Sequence, residues 1–337
     1  MTDRYFHTSM TRISPLAETP FAVEALPRDE WANGDYVAVE VLSTSSGNRV
    51  ELVNGRMTEV AEADLVLGAL GRRHATLEAT GTWEEVGPDG RMELLTGAGL
   101  LGKCTSLSMV HAPLTAVEYR GHVQVHGHRT NMQDYVEPAP DLAWETPTIL
   151  VIGTSMSAGK TTAARILIRQ LAQMGLDVVG AKITGAGRYR DVLTMGDAGA
   201  AAIYDFMDMG LPSTVCPPED YRDALQGLLA RMQAEEADMA VVESGASPLE
   251  PYNGAVAVEM IRHAVECTVL ASSDPYAVVG VMEAFGTRPD LVTGIASNTR
   301  AGIELTEELT GVPTLNIRDR ASHPALRELL ERTLGLA

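Results

Sequence analysis

Hydrophobic and polar positions follow two different patterns in the two halves of the chain. Up to about residue 140, short runs alternate apolar and polar side chains, as in Tyr36–Leu42, Arg49–Val53 and Val117–His128. A period of two is typical of half-buried strands. One longer segment, Ala61–His74, has the pattern of an amphipathic helix. We therefore predict a smaller β-rich domain over residues 1–140, built as a barrel or a sandwich and serving as a substrate lid or a dimerisation module.

The pattern changes after a proline-rich acidic stretch, Asp134–Asp141, which resembles a linker. The predicted strands beyond it are Thr148–Ile152, Val178–Lys182, Met239–Glu243, Cys267–Ala271, Leu291–Ser297 and Thr314–Ile317. The predicted helices are Thr161–Met174, Asp191–Met209, Tyr221–Glu236, Val256–Ala264 and Gly302–Leu309. Strands that alternate with helices form mostly parallel sheets with helices on both faces. Residues 145–337 are therefore predicted to form an α/β domain.

Composition excludes several classes of function. The 337 residues carry a formal net charge of −19, which argues against broad electrostatic binding to nucleic acid or to an anionic membrane. No apolar run reaches the ~18 residues that a membrane helix needs. The N-terminus lacks the pattern of a signal peptide, and three cysteines form no CxxC pair. We therefore expect a cytoplasmic protein.

One segment has the pattern of a phosphate loop. The apolar run Thr148–Ile152 leads into a Gly- and Ser-rich loop, and a helical pattern follows. Backbone N–H groups and the helix N-terminus would hold the phosphates of a nucleotide, Lys160 would reach the β- and γ-phosphates, and the Thr161 hydroxyl would bind Mg²⁺. The predicted nucleotide-binding residues are Gly153, Thr154, Ser155, Ser157, Ala158, Gly159, Lys160, Thr161 and Thr162.

Two motifs in the first half are weaker. Gly97–Cys104 almost matches a phosphate loop, but Cys104 replaces the hydroxyl residue, so a tight turn or a wall of the substrate site is the better prediction. His122, Gln124, His126 and His128 share one face of the candidate strand Gly121–His128. We predict exposed polar positions there, with metal binding as the alternative.

Charged side chains follow several predicted strands of the second half. Because parallel strands end at one edge of a sheet, Lys182 and Glu243 are predicted to lie at the same edge as the phosphate loop. Glu243 suits Mg²⁺, with a surface charge as the alternative. Lys182 is predicted to face an anion, with pairing to a nearby carboxylate as the alternative. Asp197 is predicted as a second Mg²⁺ ligand or a base, and an N-cap or a surface position is its alternative.

Two further segments supply candidate binding residues. Arg188 and Arg190 lie in a Gly-rich loop, and their planar guanidinium groups suit a carboxylate or phosphate. Solvated surface charges are the alternative. Asn298 follows a late strand, where its amide would contact adenine or serve an ordinary turn.

The spacing of the loop resembles that of dethiobiotin synthetase, whose loop is GTxxxxGKT, because five residues separate Gly153 from Gly159. Further similarities follow in chain order over residues 148–317, at Lys182-Ile-Thr184-Gly185, Gly196-Asp197-Ala198, Glu243-Ser-Gly245-Ala246 and Ser297-Asn298. The resemblance implies that the lysine contacts a substrate carboxylate or carbamate, with Thr184 and Gly185 beside it. It also implies that Asp197 and Glu243 bind Mg²⁺ and that Asn298 contacts adenine, so ATP is the expected nucleotide.

The resemblance has limits. That family lacks a β-rich first half and the segment Ser247–Gly254, which is more similar to the P-loop domain of a family of unknown function, DUF1611. Cobyrinic acid diamide synthases and cyclic 2,3-diphosphoglycerate synthetase are similar only as P-loop proteins. The substrate therefore stays unassigned.

Three functions agree with these observations. The leading hypothesis is a Mg-ATP-dependent ligase that forms an acyl or carbamoyl phosphate on a small anionic metabolite, with Lys160, Lys182 and Glu243 as catalytic residues. A small-molecule kinase of the same fold is the alternative. The third is a nucleotide-gated switch or chaperone ATPase, against which the lack of a CxxC pair or His-rich tail argues. A homodimer or higher homo-oligomer is expected.

Overall fold

The computed structural model describes residues 4–43, 49–245 and 247–335. The chain divides into two compact units. The first contains Met1–Pro138 together with two later segments, Ala186–Arg190 and Phe206–Ala224. The second contains Ala139–Gly185, Asp191–Asp205 and Leu225–Ala337. Ala246, part of the resemblance to dethiobiotin synthetase, lies outside the described residues.

The first unit is rich in strands. Its strands are β1 (Tyr5–His7), β2 (Ala22–Glu24), β3 (Tyr36–Ser43), β4 (Arg49–Glu51), β5 (Met57–Glu59), β6 (Leu65–Leu70), β7 (Arg72–His74), β8 (Ala79–Thr82), β9 (Arg91–Leu94), β10 (Leu100–Leu107), β11 (Ala116–Val125) and β12 (His128–Arg129). The pairings β6–β3, β3–β11, β11–β9, β9–β10 and β10–β6 close a ring, so this part of the sheet is a small barrel.

Alternating side chains fill the barrel. Val37, Val39 and Val41 of β3 belong to one buried cluster, as a period of two requires. The ring closes where β6 and β10 run parallel, and there a Cβ on Gly68 would lie 2.2 Å from the carbonyl oxygen of Gly99. Glycine at position 68 therefore permits the close approach of the two backbones.

The predicted helix Ala61–His74 is wrong. Strands β6 and β7 occupy most of this segment, and β6 pairs with β3 from Tyr36↔Ala69 to Glu40↔Leu65. Pairing with a buried neighbour outweighs a helical pattern that Gly68 and Gly71 already weaken.

The second unit is an α/β domain around a six-stranded sheet. Its strands are β13 (Thr148–Gly153), β14 (Val178–Thr184), β15 (Ala202–Asp205), β16 (Met239–Ser244), β17 (Val265–Ser272) and β18 (Leu291–Gly294). The helices of the second half of the chain are α1 (Lys160–Gln173), α2 (Tyr189–Gly196), α3 (Pro218–Gln233), α4 (Gly254–Ile261), α5 (Pro275–Phe285), α6 (Arg300–Thr310) and α7 (His323–Leu334). Among the described residues, no helix is both long and apolar enough to cross a membrane.

The strand order is β15-β14-β16-β13-β17-β18, and every pairing is parallel. From β13 the chain first moves toward β15 and later toward β18. Right-handed crossovers in opposite directions place helices on opposite faces of the sheet. All six strands consequently end at one edge, which the phosphate loop joins after β13.

Four details differ from the predicted α/β pattern. The segment Asp191–Met209 is not one helix, because α2 ends at Gly196 and β15 follows it. Thr314–Ile317 is not a strand, since only Thr314 bridges to Val292. Helices α5 and α7 were not predicted, and each has a proline in its first turn, a position that proline favours.

Candidate functional site

The phosphate loop is formed by residues 153–162. Strand β13 is fully buried along Thr148–Gly153, and α1 begins at Lys160. Gly159 is the N-cap of α1 and has φ 108°, a left-handed conformation that favours glycine. The backbone therefore turns sharply before α1, and the first N–H groups of the helix remain available for an anion.

Lys160 lies folded back over its own loop. It is only 3% exposed, and its Nζ donates a hydrogen bond to the carbonyl oxygen of Ser155 at 2.6 Å. A Cβ on Gly153 would lie 2.7 Å from Cδ of Lys160, so glycine leaves the space that this side chain occupies. Burial lowers the pKa of Lys160 to about 8, although the Glu243 carboxylate acts in the opposite direction. The ammonium group is therefore held where a phosphate would replace its carbonyl partner.

The hydroxyl of Thr161 and the carboxylate of Glu243 meet beside this lysine. Thr161 Oγ1 donates to Glu243 Oε1 at 3.2 Å, and Glu243 is 2% exposed at the end of β16. Its second oxygen, Oε2, is buried without a hydrogen-bond partner among the described residues. A buried acceptor without a donor is costly, and Mg²⁺ binds oxygen ligands of this kind together with phosphates and water. Thr161 and Glu243 therefore fit the predicted Mg²⁺ site.

A row of alternating charges crosses the sheet next to Glu243. In the parallel register, Lys182 of β14 is paired with Glu243 of β16 on one side and with Asp205 of β15 on the other. All three are at least 93% buried. Burial alone would lower the pKa of Lys182, but the carboxylates of Asp191 and Glu243 outweigh it and raise the pKa above its ordinary value. Lys182 therefore stays charged inside the unit.

Asp191 holds the free end of Lys182. Its Oδ2 lies 2.5 Å from Nζ of Lys182, and it belongs to the first turn of α2. Burial raises the pKa of Glu243, with Asp191 acting in the same direction and Lys182 in the opposite one. The alternative prediction for Lys182, pairing with a nearby carboxylate, thus describes this structure.

Asp197 does not take the place that was predicted for it. It follows the last residue of α2, is exposed, and lines a cavity along α1. It lies six positions after Asp191, a helical rise of about 9 Å, so the two carboxylates lie at opposite ends of α2. The acidic side chain that α2 brings to Lys182 is Asp191, which the sequence patterns did not single out.

The end of β17 completes the edge on the other side of β13. Ser273 N–H donates to Thr154 Oγ1 at 3.1 Å, and Thr154 N–H donates to the carbonyl oxygen of Ala271 at 3.1 Å. Next to it, a Cβ on Gly294 at the end of β18 would lie 2.4 Å from the carbonyl oxygen of Ala158. The loop is thus packed against β17 and β18. Ser273 was not predicted, although it follows a predicted strand just as Glu243 does.

The remaining predicted residues occupy different environments. Thr184 is fully buried, and its Oγ1 accepts a hydrogen bond from Gly245 N–H, while Gly185 has φ 135°. Asn298 is exposed and immediately precedes Thr299, the N-cap of α6. Its contact with adenine stays a prediction. Ser155 and Thr162 are half-buried, Ala158 is buried and Ser157 is exposed.

Arg188 and Arg190 belong to the first unit and are exposed. Within that unit, the carboxylate of Glu51 accepts hydrogen bonds from the backbone N–H groups of Tyr189 and Arg190, at 2.8 and 2.9 Å. Ser9 Oγ donates to the same carboxylate at 2.5 Å. Glu51 thus fixes the backbone that carries the two arginines, and nothing in its own sequence context pointed to that role.

The weaker motifs of the first half are structural. Gly97–Cys104 leads into strand β10 and not into a helix, so it lacks the geometry of a phosphate loop. The predicted shared face of three histidines is wrong, because β11 ends at Val125 and His126 lies in a turn with φ 53°. His122 is fully buried and lies 3.2 Å from Asp35. No group of three or more His, Cys, Asp or Glu residues in the described part of the chain is placed to hold a metal ion.

The parallel sheet, the glycine-bounded loop after its central strand and the lysine at the start of α1 define a P-loop NTPase fold. No model of a known protein family matches the chain, and no curated protein matches it. Several solved structures are similar to part of the chain at low sequence identity, and three of them illustrate this.

The signal recognition particle receptor FtsY from Elizabethkingia anophelis is 17% identical over 54% of this chain and 61% of that chain, with a TM-score of 0.35. The signal recognition particle 54 kDa protein from Aeropyrum pernix K1, in complex with GDP, is 20% identical over 60% of this chain and 51% of that chain, with a TM-score of 0.35. The hydrogenase maturation factor HypB from Archaeoglobus fulgidus is 11% identical over 56% of this chain and 91% of that chain, with a TM-score of 0.37. This chain covers less than two thirds of the first two.

Proposed function

We propose that the protein is a Mg-ATP-dependent enzyme that phosphorylates the carboxylate or carbamate of a small anionic metabolite and then ligates the acyl group to a nucleophile. One observation supports the proposal most directly. The chain has only three lysines, and two of them, Lys160 and Lys182, are buried in one cluster with Glu243. Nucleotide binding accounts for Lys160, and a second buried ammonium group beside it suits the anion that receives the phosphoryl group.

The roles follow from the contacts. The phosphate loop and Lys160 would hold the triphosphate, while Thr161 and Glu243 would hold Mg²⁺, which supplies charge neutralisation at the β- and γ-phosphates. Lys182 would release Asp191 and bind the substrate carboxylate in its place. Its ammonium group has three N–H donors with which to hold that carboxylate. The carboxylate oxygen then forms a bond to the γ-phosphorus as the bond to ADP breaks. In the second step the nucleophile bonds to the acyl carbon, loses its proton, and phosphate leaves.

A kinase of the same fold is the second candidate, and Asp191 favours it. A carboxylate beside the site of phosphoryl transfer can accept the proton of a hydroxyl acceptor, as the catalytic-loop aspartate of protein kinases does. In that case, the phosphorylated product would be stable and released. The same cluster serves both reactions, and the acceptor distinguishes them.

The resemblance of residues 148–317 to dethiobiotin synthetase supports ATP and the ligase chemistry. Homodimer formation belongs to the same proposal. The proposed substrate is anionic because Lys182 is cationic. It is small because the protein as a whole is strongly acidic. An acidic surface repels large polyanions such as nucleic acid.

Hydroxylamine provides the test, because it traps acyl phosphates as hydroxamates. Purified protein is incubated with Mg²⁺, ATP or GTP, and a panel of small carboxylic acids, and both nucleoside diphosphate and hydroxamate are measured. We expect ADP and hydroxamate to form together with particular acids, and neither to form with Lys160→Ala.

The other outcomes identify the alternatives. A stable phosphorylated product without hydroxamate would support the kinase. Hydrolysis that no metabolite stimulates, but that a protein partner does, would overturn the enzyme proposal in favour of a nucleotide-gated switch. A preference for GTP would overturn the choice of ATP as the nucleotide and leave the rest of the proposal unchanged.

A further inference from the structure

A cavity of about 550 Å³ lies along helix α1 in the second unit. One wall is the face of α1 from Thr162 to Gln173. The segment 317–323, which leads into α7, forms another wall, and Asp197 and Ala198 after α2 contribute to the lining. The volume is that of a site for a small molecule.

The lining is strongly basic. It contains four guanidinium groups, those of Arg165, Arg169, Arg318 and Arg320, against the single carboxylate of Asp197. The chain as a whole has 45 acidic and 26 basic residues. A local excess of positive charge in this protein therefore opposes the overall composition.

All four arginines are exposed, and they differ from the arginines of the chain that pair with a carboxylate. Arg72 pairs with Glu84, and Arg300 pairs with Glu304. Within the described ranges, none of the four guanidinium groups in the cavity forms an ion pair or a hydrogen bond. Carboxylates are abundant in this chain, yet these four side chains do not meet one.

Two details strengthen the contrast. Arg165 and Arg169 are four residues apart on α1, where like charges destabilise a helix. Asp319 lies between the other two arginines in the sequence, but its carboxylate accepts the N–H of Ala321 and caps the following turn. The neighbouring acidic residue is thus engaged with its own backbone.

Hydrogen bonds hold the two walls of the cavity together. Gln170 is 2% exposed, and its amide contacts Nδ1 of His323 at 3.4 Å and Arg327 at 3.4 Å. The other ring nitrogen of His323 lies 3.0 Å from the carbonyl oxygen of Ile317. These bonds fix the segment that carries Arg318 and Arg320 against α1, which reduces the entropy lost on binding.

We propose that this cavity, the arginine groove, binds a small molecule that carries two or more phosphate or carboxylate groups. Guanidinium groups donate pairs of parallel hydrogen bonds that match both anions, and the two walls supply two such groups each. The groove begins at Thr162 and extends eleven residues along α1, about 16 Å. The groove shares Thr162 with the predicted nucleotide-binding loop, and its arginines lie farther from that loop, on the rest of α1 and on the segment 317–323. They therefore form a second anion site next to the phosphates held at the N-terminus of α1.

The test uses tripolyphosphate and citrate as probes, in magnesium-free buffer, with calorimetric titration. The starting protein is Lys160→Ala, in which the phosphate loop is disabled. Adding Arg165→Gln and Arg318→Gln removes one guanidinium group from each wall. Adding Arg262→Gln and Arg332→Gln removes the same charge from two exposed positions outside the groove.

We expect saturable binding of at least one probe to Lys160→Ala, weakened about tenfold or more by the groove pair and unchanged by the control pair. The probe that binds more tightly identifies phosphate or carboxylate as the preferred anion. Wild-type protein saturated with ATP in the same magnesium-free buffer should still bind the probe. Absence of saturable binding at millimolar probe, equal loss with the control pair, or displacement by ATP would each overturn the proposal. None of these outcomes depends on the ligase activity.

Discussion

Lys182 and Asp191 form a buried ion pair whose charged atoms lie 2.5 Å apart. The lysine comes from the end of a central strand, and the aspartate comes from the first turn of the next helix. The side chains are 9% and 18% exposed, so water screens the pair poorly. Removal of Lys182 leaves the carboxylates of Asp191 and Glu243 without the cation beside them, whereas removal of Asp191 leaves Lys182 with Glu243 and Asp205 as its neighbouring carboxylates.

We expect Lys182→Met to destabilise the protein by about 3–5 kcal/mol, because Asp191 and Glu243 then lose their cation. The double variant Lys182→Met/Asp191→Asn should recover much of this loss, since both charges are gone. Urea unfolding of the four proteins in the cycle measures the coupling. The exposed pair of Arg300 and Glu304 is the control, and its coupling should be about 0.5 kcal/mol or less. Equal couplings for the two pairs would contradict the structural account.

Glu243 should determine how Mg²⁺ affects nucleotide binding. Its Oε2 is buried without a partner, and Thr161 already donates to Oε1. We expect Glu243→Gln to bind nucleotide equally well in EDTA but to lose most of the gain in affinity that Mg²⁺ provides. Fluorescent-nucleotide titration with and without Mg²⁺ measures both the affinity in EDTA and the gain in affinity with Mg²⁺. Asp197→Asn is the control, because Asp197 lies at the far end of α2. Loss of the Mg²⁺ effect in that variant would restore Asp197 as a metal ligand.

The contrast between these two acidic residues shows what sequence alone can predict. Glu243 directly follows an apolar strand, and Lys160 follows a strand and a glycine-bounded loop, so local pattern suffices for both. Asp191 and Asp205 are different. Asp191 reaches the site from the first turn of α2, and Asp205 reaches it because α2 ends at Gly196 and β15 then pairs with β14. The helical pattern of Asp191–Met209 hid that strand.

Similar limits apply to the fold. The order of strands and helices in the second half was largely predictable, because buried parallel strands form continuous apolar runs. The sequence did not predict which strands lie next to each other. The barrel of the first unit depends on one such pairing, that of β6 with β10. Leu65–Leu70 matched a helical pattern until its partner Tyr36–Glu40 was known. The local pattern of apolar and polar residues does not show which distant strand a segment will pair with.

Gly153 and Gly294 should respond differently to substitution by alanine. At Gly153 the new methyl group would meet the flexible side chain of Lys160, which can move aside. We expect Gly153→Ala to weaken nucleotide binding at least about tenfold through displacement of Lys160, while the unfolding midpoint changes little. Gly294 has φ 93°, and a Cβ there would meet the backbone of Ala158 and Ser272.

We therefore expect Gly294→Ala to lower the free energy of unfolding by about 1–3 kcal/mol, because the backbone itself must shift. Nucleotide titration and urea unfolding of both variants separate the two effects. The interpretation fails if Gly153→Ala is the less stable protein of the two.

The pH dependence of nucleotide binding should follow Lys160. Burial lowers its pKa to about 8, so its ammonium form, which attracts phosphate, is lost as the pH rises through that value. Affinity should be nearly constant below about pH 7 and fall by up to tenfold per unit above about pH 8. Measurement without Mg²⁺ removes the contribution of Glu243 as a metal ligand. Lys160→Met should bind weakly and lack this dependence, and the same slope in that variant would assign the titration to another group.

Glu51 offers a test of the backbone that carries Arg188 and Arg190. Its two oxygens accept the N–H groups of Tyr189 and Arg190, and it is 1% exposed. An amide in place of the carboxylate leaves only one acceptor oxygen for two backbone donors and removes a negative charge from the start of α2. We expect Glu51→Gln to cost about 1–3 kcal/mol and to accelerate hydrogen exchange at these two amides. Glu59→Gln, in an exposed pair with Arg49, is the control and should change neither quantity. Unchanged exchange at Tyr189 and Arg190 in Glu51→Gln would mean that the carboxylate does not hold this backbone.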